Sequence, residues 1–313
     1  MKTPSNAVPE SPVDARGVAP APAAASATRP MYWSVLRELW ENRSITIAPL
    51  AVAAFVLLGF LISTVRVPAR MRAVWALDPA KRLGSVALPY NVAAAFLILT
   101  AFVVAVFYCL EALHSERRDR SILFWKSLPV SDLTTVLSKA SIPLLVLPLL
   151  TFAVIFATQT IMLLLSSAML LGNGPSIAML WARLPLFRMS LGLLYALAAM
   201  ALWLAPLYAW LLLVSGWARR APFLWAFLPQ VAISVVERIA FNTSYVESFM
   251  NDRLLGWVTR AFLPQARRGI PADPLTQLTP EIFLGAPGLW IGLAFAAIFL
   301  AAAVRLRRYR EPI

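Results

Sequence analysis

Long uncharged apolar runs, separated by short clusters of charge, set the pattern of this chain. Six runs contain no Asp, Glu, Lys or Arg: 44–65, 83–110, 140–171, 189–218, 221–236 and 282–304. Crossing a hydrocarbon core takes about 20 helical residues at ~1.5 Å each, so each run is a candidate span. Barrel strands would alternate apolar and polar side chains. Residues 51–61 and 293–303 are apolar on every face, which predicts helices that satisfy their own backbone polar groups. The run 140–171 reads as one long helix, tilted or projecting, with Pro143 and Pro148 near its start or kinking it. The run 221–236 is the shortest before the Glu237-Arg238 pair and is expected to be short, broken or extended. The expected fold is an all-α polytopic bundle of six transmembrane helices.

The flanks differ in kind. Residues 1–30 carry Pro4, Pro9, Pro12, Pro20, Pro22 and Pro30 among alanines and predict a disordered tail. No apolar stretch precedes them, so the first span is expected to direct insertion. Over 31–43, Trp33, Leu36 and Trp40 fall on one side of a helix while Arg37, Glu38 and Glu41 fall on the other. Two readings stand: an interfacial helix along the bilayer, or a downward extension of the first span. In the segment 237–281, the charges of Glu237 and Arg238 predict an early end to the fifth helix, because unpaired charge in lipid is costly. Leu254, Val258 and Phe262 then mark an amphipathic helix that could serve as a lid over an exit. Residues 305–313 form a basic tail.

Composition sharpens the class without changing it. Apolar residues make up 60% of the 313, charged ones 14%, and the mean hydropathy is +0.73. Six spans put both ends on one side, and 16 of the 28 Lys and Arg fall in segments on that side. The positive-inside bias places both termini in the cytoplasm, with the Arg305, Arg307, Arg308, Arg310 cluster as anchor, and a bacterial inner membrane is the expected location. The net charge of +13 is then explained by anionic lipid headgroups and needs no nucleic-acid partner.

Sites of chemistry are sparse. One histidine, His114, and one cysteine, Cys109, build no His/Cys metal cluster. None of the four lysines follows a glycine, so no phosphate-binding loop of the Walker type is present. No catalytic, cofactor or metal residue is assigned.

The segment 111–139, between the second and third runs, is the most informative. Residues 111–128 read as a charged amphipathic helix stopped by Pro129; Ser131 then caps the next helix, with Asp132 in its first turn. This segment resembles the first cytoplasmic loop of the permease subunits of type-2 ATP-binding-cassette exporters. The likeness rests on the pair Glu116-Arg117, the short helix 121–127, the turn Leu128-Pro129-Val130-Ser131, and Lys139 near the next span. Arg120-Ser121 stands where the family commonly has Gly-Thr, and the order of interfacial helix, six spans and long outer segment before the sixth matches too.

The resemblance implies a coupling loop that docks on a separate ATP-binding subunit, with contacts from Glu116, Arg117, Arg118, Ser121, Trp125, Leu128, Pro129, Val130 and Ser131. It also implies ATP and Mg on that partner, none in this chain, and a second permease, identical or paralogous. The plain alternative is a solvated loop that orients the protein by its arginines.

Other residues invite two readings each. Trp203, Trp210 and Trp217 share a face of the fourth run and are either a pathway for substrate or a packing and headgroup stripe. Gln159 and Gln230, amides inside runs, are pathway contacts or helix-to-helix hydrogen bonds. Gly288, Gly292 and Ala296 form a small-residue ridge for close helix approach. The remaining function classes are a stand-alone secondary transporter, which calls for coupling carboxylates or histidines within spans, and a membrane-embedded enzyme.

Overall fold

The computed structural model describes residues 28–66, 79–119, 130–170, 186–262 and 278–309. Helices account for nearly all of these, and no β-strand occurs among them. In chain order they are α1 Thr28–Glu41, α2 Ser44–Ser63, α3 Pro79–Glu111, α4 His114–Arg118, α5 Asp132–Ser141, α6 Leu147–Leu170, α7 Leu186–Trp217, α8 Pro222–Phe241, α9 Tyr245–Ala261, α10 Pro280–Gly285 and α11 Pro287–Tyr309.

Six helical segments are long and apolar enough to cross a membrane: α2, α3, α5 continued into α6, α7, α8 and α11. The protein is a multi-pass, all-α membrane protein. The proline-rich tail expected over 1–30 lies almost wholly outside the described residues.

The most apolar stretch of α7 is 72% buried and that of α8 only 6%, so α7 is the axis of the bundle and α8 a lipid-facing wall. Helix α11 packs along α7, where Ala296 meets Ala205 and Ala209, and these small side chains permit close approach. Helices α2, α3 and α6 pack together on another flank, through Ala53, Leu97 and Ile155.

The third span is continuous but not uniform. Between α5 and α6, residues Ile142–Val146 form a π-helical turn. Pro143 has no N–H to donate back to Lys139, so the ladder is interrupted there. The Ile142 N–H donates to the Lys139 carbonyl, and the Leu147 N–H reaches back to Ile142. Pro143 therefore sits at a local widening, as the sequence suggests.

The fifth span takes the extended alternative and not the early end. Helix α8 runs unbroken through Glu237 and Arg238 to Phe241, and Asn242, at φ 49°, ends it. Asparagine tolerates this left-handed conformation, which commonly stops helices. The Glu237 carboxylate does not terminate α8; it accepts from the N–H groups of Tyr245 (2.6 Å) and Val246 (2.9 Å) and from the Thr243 hydroxyl (2.8 Å). A charge read as a stop signal instead caps α9 and folds it back onto α7 and α8. The sixth run is also divided, with α10 ending at Gly285 and α11 beginning at Pro287.

Candidate functional site

Both α1 and the end of α11 lie at one end of the bundle, termed the base. A cluster of ionised groups is buried there. Glu38, fully buried, lies 2.8 Å from Lys139 and 2.8 Å from Arg37, and accepts from the Tyr108 hydroxyl at 2.8 Å. Glu116 lies 3.1 Å from Lys139, 3.3 Å from Arg37 and 3.2 Å from Arg307. Arg307 also reaches Asp132 at 2.6 Å. Among the described residues, three carboxylates thus meet three cations contributed by α1, α4, α5 and α11. Isolated, each buried charge would cost several kcal/mol, about what removes such groups from most interiors; mutual pairing offsets this.

Protonation follows the same logic. Burial alone would raise the Glu38 carboxyl, but Lys139 and then Arg37 outweigh it and hold it below the usual carboxylate range. At the rim of the cluster, partial burial raises Glu41, and Arg37 only partly offsets that.

The amphipathic division of α1 is therefore the reverse of a soluble helix. Arg37 and Glu38 face the bundle, while Tyr32, Trp33 and Trp40 face outward at more than half exposure. Aromatic side chains of this kind suit a headgroup layer.

The segment 111–128 does not begin as one continuous helix. Helix α3 stops at Glu111, and a turn at Ala112 and Leu113 leads into α4. The cause is α7, whose Ser215 hydroxyl accepts from the N–H groups of both Leu113 (3.0 Å) and His114 (2.9 Å). Arg117 donates to the Gly216 carbonyl at 2.8 Å, and the His114 ring pairs with the Ala218 carbonyl at 3.2 Å. These carbonyls end α7, where helices lack intrahelical donors and favour positive charge.

Of the residues implied for coupling, Glu116 and Arg117 are thus buried anchors, 6% and 5% exposed. Arg118 is exposed beside Asp119, Val130 is half-buried, and Ser131 is exposed and caps α5 by accepting from the Thr134 N–H. Ser121, Trp125, Leu128 and Pro129 lie outside the described residues. The stretch between Asp119 and Val130 therefore springs from two feet, Glu116 and Asp132, held by the single Arg307 guanidinium.

A second feature lies among α3, α7, α8, α9 and α11: a cavity of about 850 Å³. Phe102, Phe107, Phe227, Phe295 and Phe299 make most of it apolar, and Gln230, Glu237, Arg238 and Arg253 add polar groups. Trp210 lines it, donating to the Ala226 carbonyl at 3.4 Å, and the side-chain oxygen of Gln230, another lining residue, is buried without a hydrogen-bond partner among the described residues.

Trp203 is packed beside this cavity, 1% exposed, with its indole N–H on the Asp252 carbonyl and the guanidinium carbons of Arg253 and Arg260 at 4.9 and 4.6 Å from its ring centroid. Trp217 stands edge-on to Trp225 at the base. The tryptophan stripe is the seam along which α7 holds α8 and α9. Gln159 is elsewhere, donating to the Tyr90 carbonyl at 3.3 Å between α6 and α3.

The small-residue ridge of α11 is where neighbouring helices come close. A side chain at Gly288 would press on the Trp203 ring at 3.3 Å, and one at Gly292 would overlap the Arg253 guanidinium. Gly288 thus admits a side chain of α7 and Gly292 one of α9, while Ala296 packs on Ala205 and Ala209. Sequence spacing marked the ridge but not its occupants, because Arg253 reaches it from a helix that folds back across a chain reversal.

Family models, curated proteins and solved structures yield no match to this chain.

Proposed function

We propose that this chain is the membrane permease subunit of an ATP-driven exporter, with ATP hydrolysed on a separate subunit that grips the segment between Asp119 and Val130. The observation that carries the reading is the clamp at the base. Arg307 of α11 ties Glu116 to Asp132 (3.2 and 2.6 Å), and Lys139 ties the same point to Glu38 of α1 (2.8 Å). A push on the segment cannot be absorbed at its feet; it passes to α3, α5, α11 and α1 together. Rigid-body movement of packed helices is how such devices respond. The π-turn at Ile142–Val146, which begins three residues after Lys139, supplies a place where the third span can bend. In this reading both termini are cytoplasmic, Arg118, Asp119 and Ser131 flank the gripped surface, and a second permease completes the complex.

Two measurements test it. The full chain, purified with its native partners, should carry a subunit with a phosphate-binding loop, and a Ser131→Cys variant should cross-link to that subunit. In intact cells the thiol of this variant should resist a membrane-impermeant maleimide and react only in inside-out vesicles. Labelling of the Ser131→Cys variant from outside the cell sinks the assignment, because the segment could then never meet an ATPase.

A further inference from the structure

The cavity carries a charge that no described carboxylate neutralises. Arg253 has no carboxylate within 4.0 Å among the described residues; its neighbour Asp252 is engaged by Arg260 at 2.7 Å. Two of its nitrogens share one acceptor, the Gly288 carbonyl, at 3.2 and 3.3 Å, and its remaining face leans on the Trp203 ring. The other charges of the lining are accounted for. Glu237 caps α9, and Arg238 lies 3.5 Å from Glu247. What remains is one cation, Arg253, in the lining of a phenylalanine-rich chamber. A guanidinium in such surroundings is strongly complemented by an anionic oxygen.

The wall of the chamber indicates the route of entry. Helix α8, whose most apolar stretch is only 6% buried, forms one wall of it with Phe227 and Val231, so a single lipid-facing helix separates the chamber from the bilayer. A volume of about 850 Å³ is within the range of sites for small organic ligands.

We propose that this cavity binds a bilayer-borne amphiphile, its anionic head group on Arg253 and its alkyl tail among the phenylalanines. As a transport site it rests on the export reading above; as a binding site it does not. Helix α9 is then the element that senses occupancy. It brings Arg253 to the ligand and is itself fixed by Glu237 at one end and by Trp203 through the Asp252 carbonyl.

The experiment is equilibrium binding of radiolabelled dodecyl phosphate to the full chain in phosphatidylcholine nanodiscs, with empty discs subtracted. Dodecyltrimethylammonium serves as the probe of equal tail and opposite charge. Saturable binding of the phosphate is expected, with the cation at least about tenfold weaker, as one charge-assisted hydrogen bond implies. Arg253→Gln should weaken the phosphate by a similar factor and leave the cation unweakened. Val231→Trp, at a position in the chamber wall, should weaken both by filling the chamber. Inorganic phosphate should not compete.

Equal binding of the two amphiphiles, competition by free phosphate, or parental affinity in Arg253→Gln overturns the proposal. Should Arg253→Gln fail to fold, unchanged phosphate binding in Val231→Trp overturns it. Since binding needs neither ATP nor partner, failure here leaves the export reading intact, and failure of coupling leaves this site intact.

Discussion

Replacing Lys139 with methionine tests whether the base is held by mutual charge compensation. Lys139 is 2% exposed, and its ammonium lies 2.8 Å from Glu38 and 3.1 Å from Glu116. Its loss removes the cation that Glu38 and Glu116 share and leaves the cluster one positive charge poorer. Removing one partner of a buried pair costs about 3–5 kcal/mol. The remaining contacts of Arg37, Arg307 and Tyr108 place Lys139→Met near the lower end, ~3 kcal/mol.

Glu38→Gln, which leaves a cation in excess, is expected to cost a similar amount. The double variant removes one charge of each sign, so its loss should fall short of the sum by ~2 kcal/mol, within the range of directly paired residues. Arg238→Gln is the comparison: its partner Glu247 is 3.5 Å away and both side chains are more than 60% exposed, so the shift should stay within about 0.5 kcal/mol. The assay is equilibrium unfolding of the full chain in mixed micelles, followed by far-ultraviolet circular dichroism. Single variants as stable as the parent, or a double variant whose loss equals the sum, would refute the compensation argument.

Two further outcomes follow from neighbouring groups. The folded state holds Glu38 below its ordinary pKa, so its stabilising contribution is complete above the usual carboxylate range and disappears as pH falls through the depressed value; Glu38→Gln and parent should converge in acid. Glu41 is shifted the other way, so its charged form opposes folding at neutral pH, and Glu41→Gln should melt no lower than the parent at pH 7. At the other site, Gly292→Leu displaces the Arg253 guanidinium from Gly288 and Trp203, which should redden and quench less of the buried indole emission while leaving the helical content unchanged; an emission spectrum identical to the parent's would show that Arg253 is not seated there.

Much of the bundle was legible because its determinants are local. A run of apolar residues long enough to cross hydrocarbon must be a helix, whatever lies beside it, and all six runs are crossed by helices. Ser131 was legible as a cap for the same reason, since its hydroxyl serves an N–H three residues away. Where the reading failed, a distant partner decided. Glu237 looked like a stop signal because unpaired charge in lipid is costly, but the N-terminus of α9 pairs with it. Residues 111–128 looked like one amphipathic helix because nothing nearby reveals that Ser215, about a hundred positions on, caps a turn at Leu113.

The sequence by itself determined the solvent, the number of spans and the helical ends that carry local caps. Only the tertiary structure decided which charges are buried together: Glu38 with Lys139 across 101 positions, and Glu116 with Arg307 across 191. It likewise decided that Arg253 meets a phenylalanine chamber. The reason is physical: a hydropathy pattern specifies transfer from water residue by residue, whereas compensation of buried charge is a property of pairs, and the pairs exist only after the helices have packed.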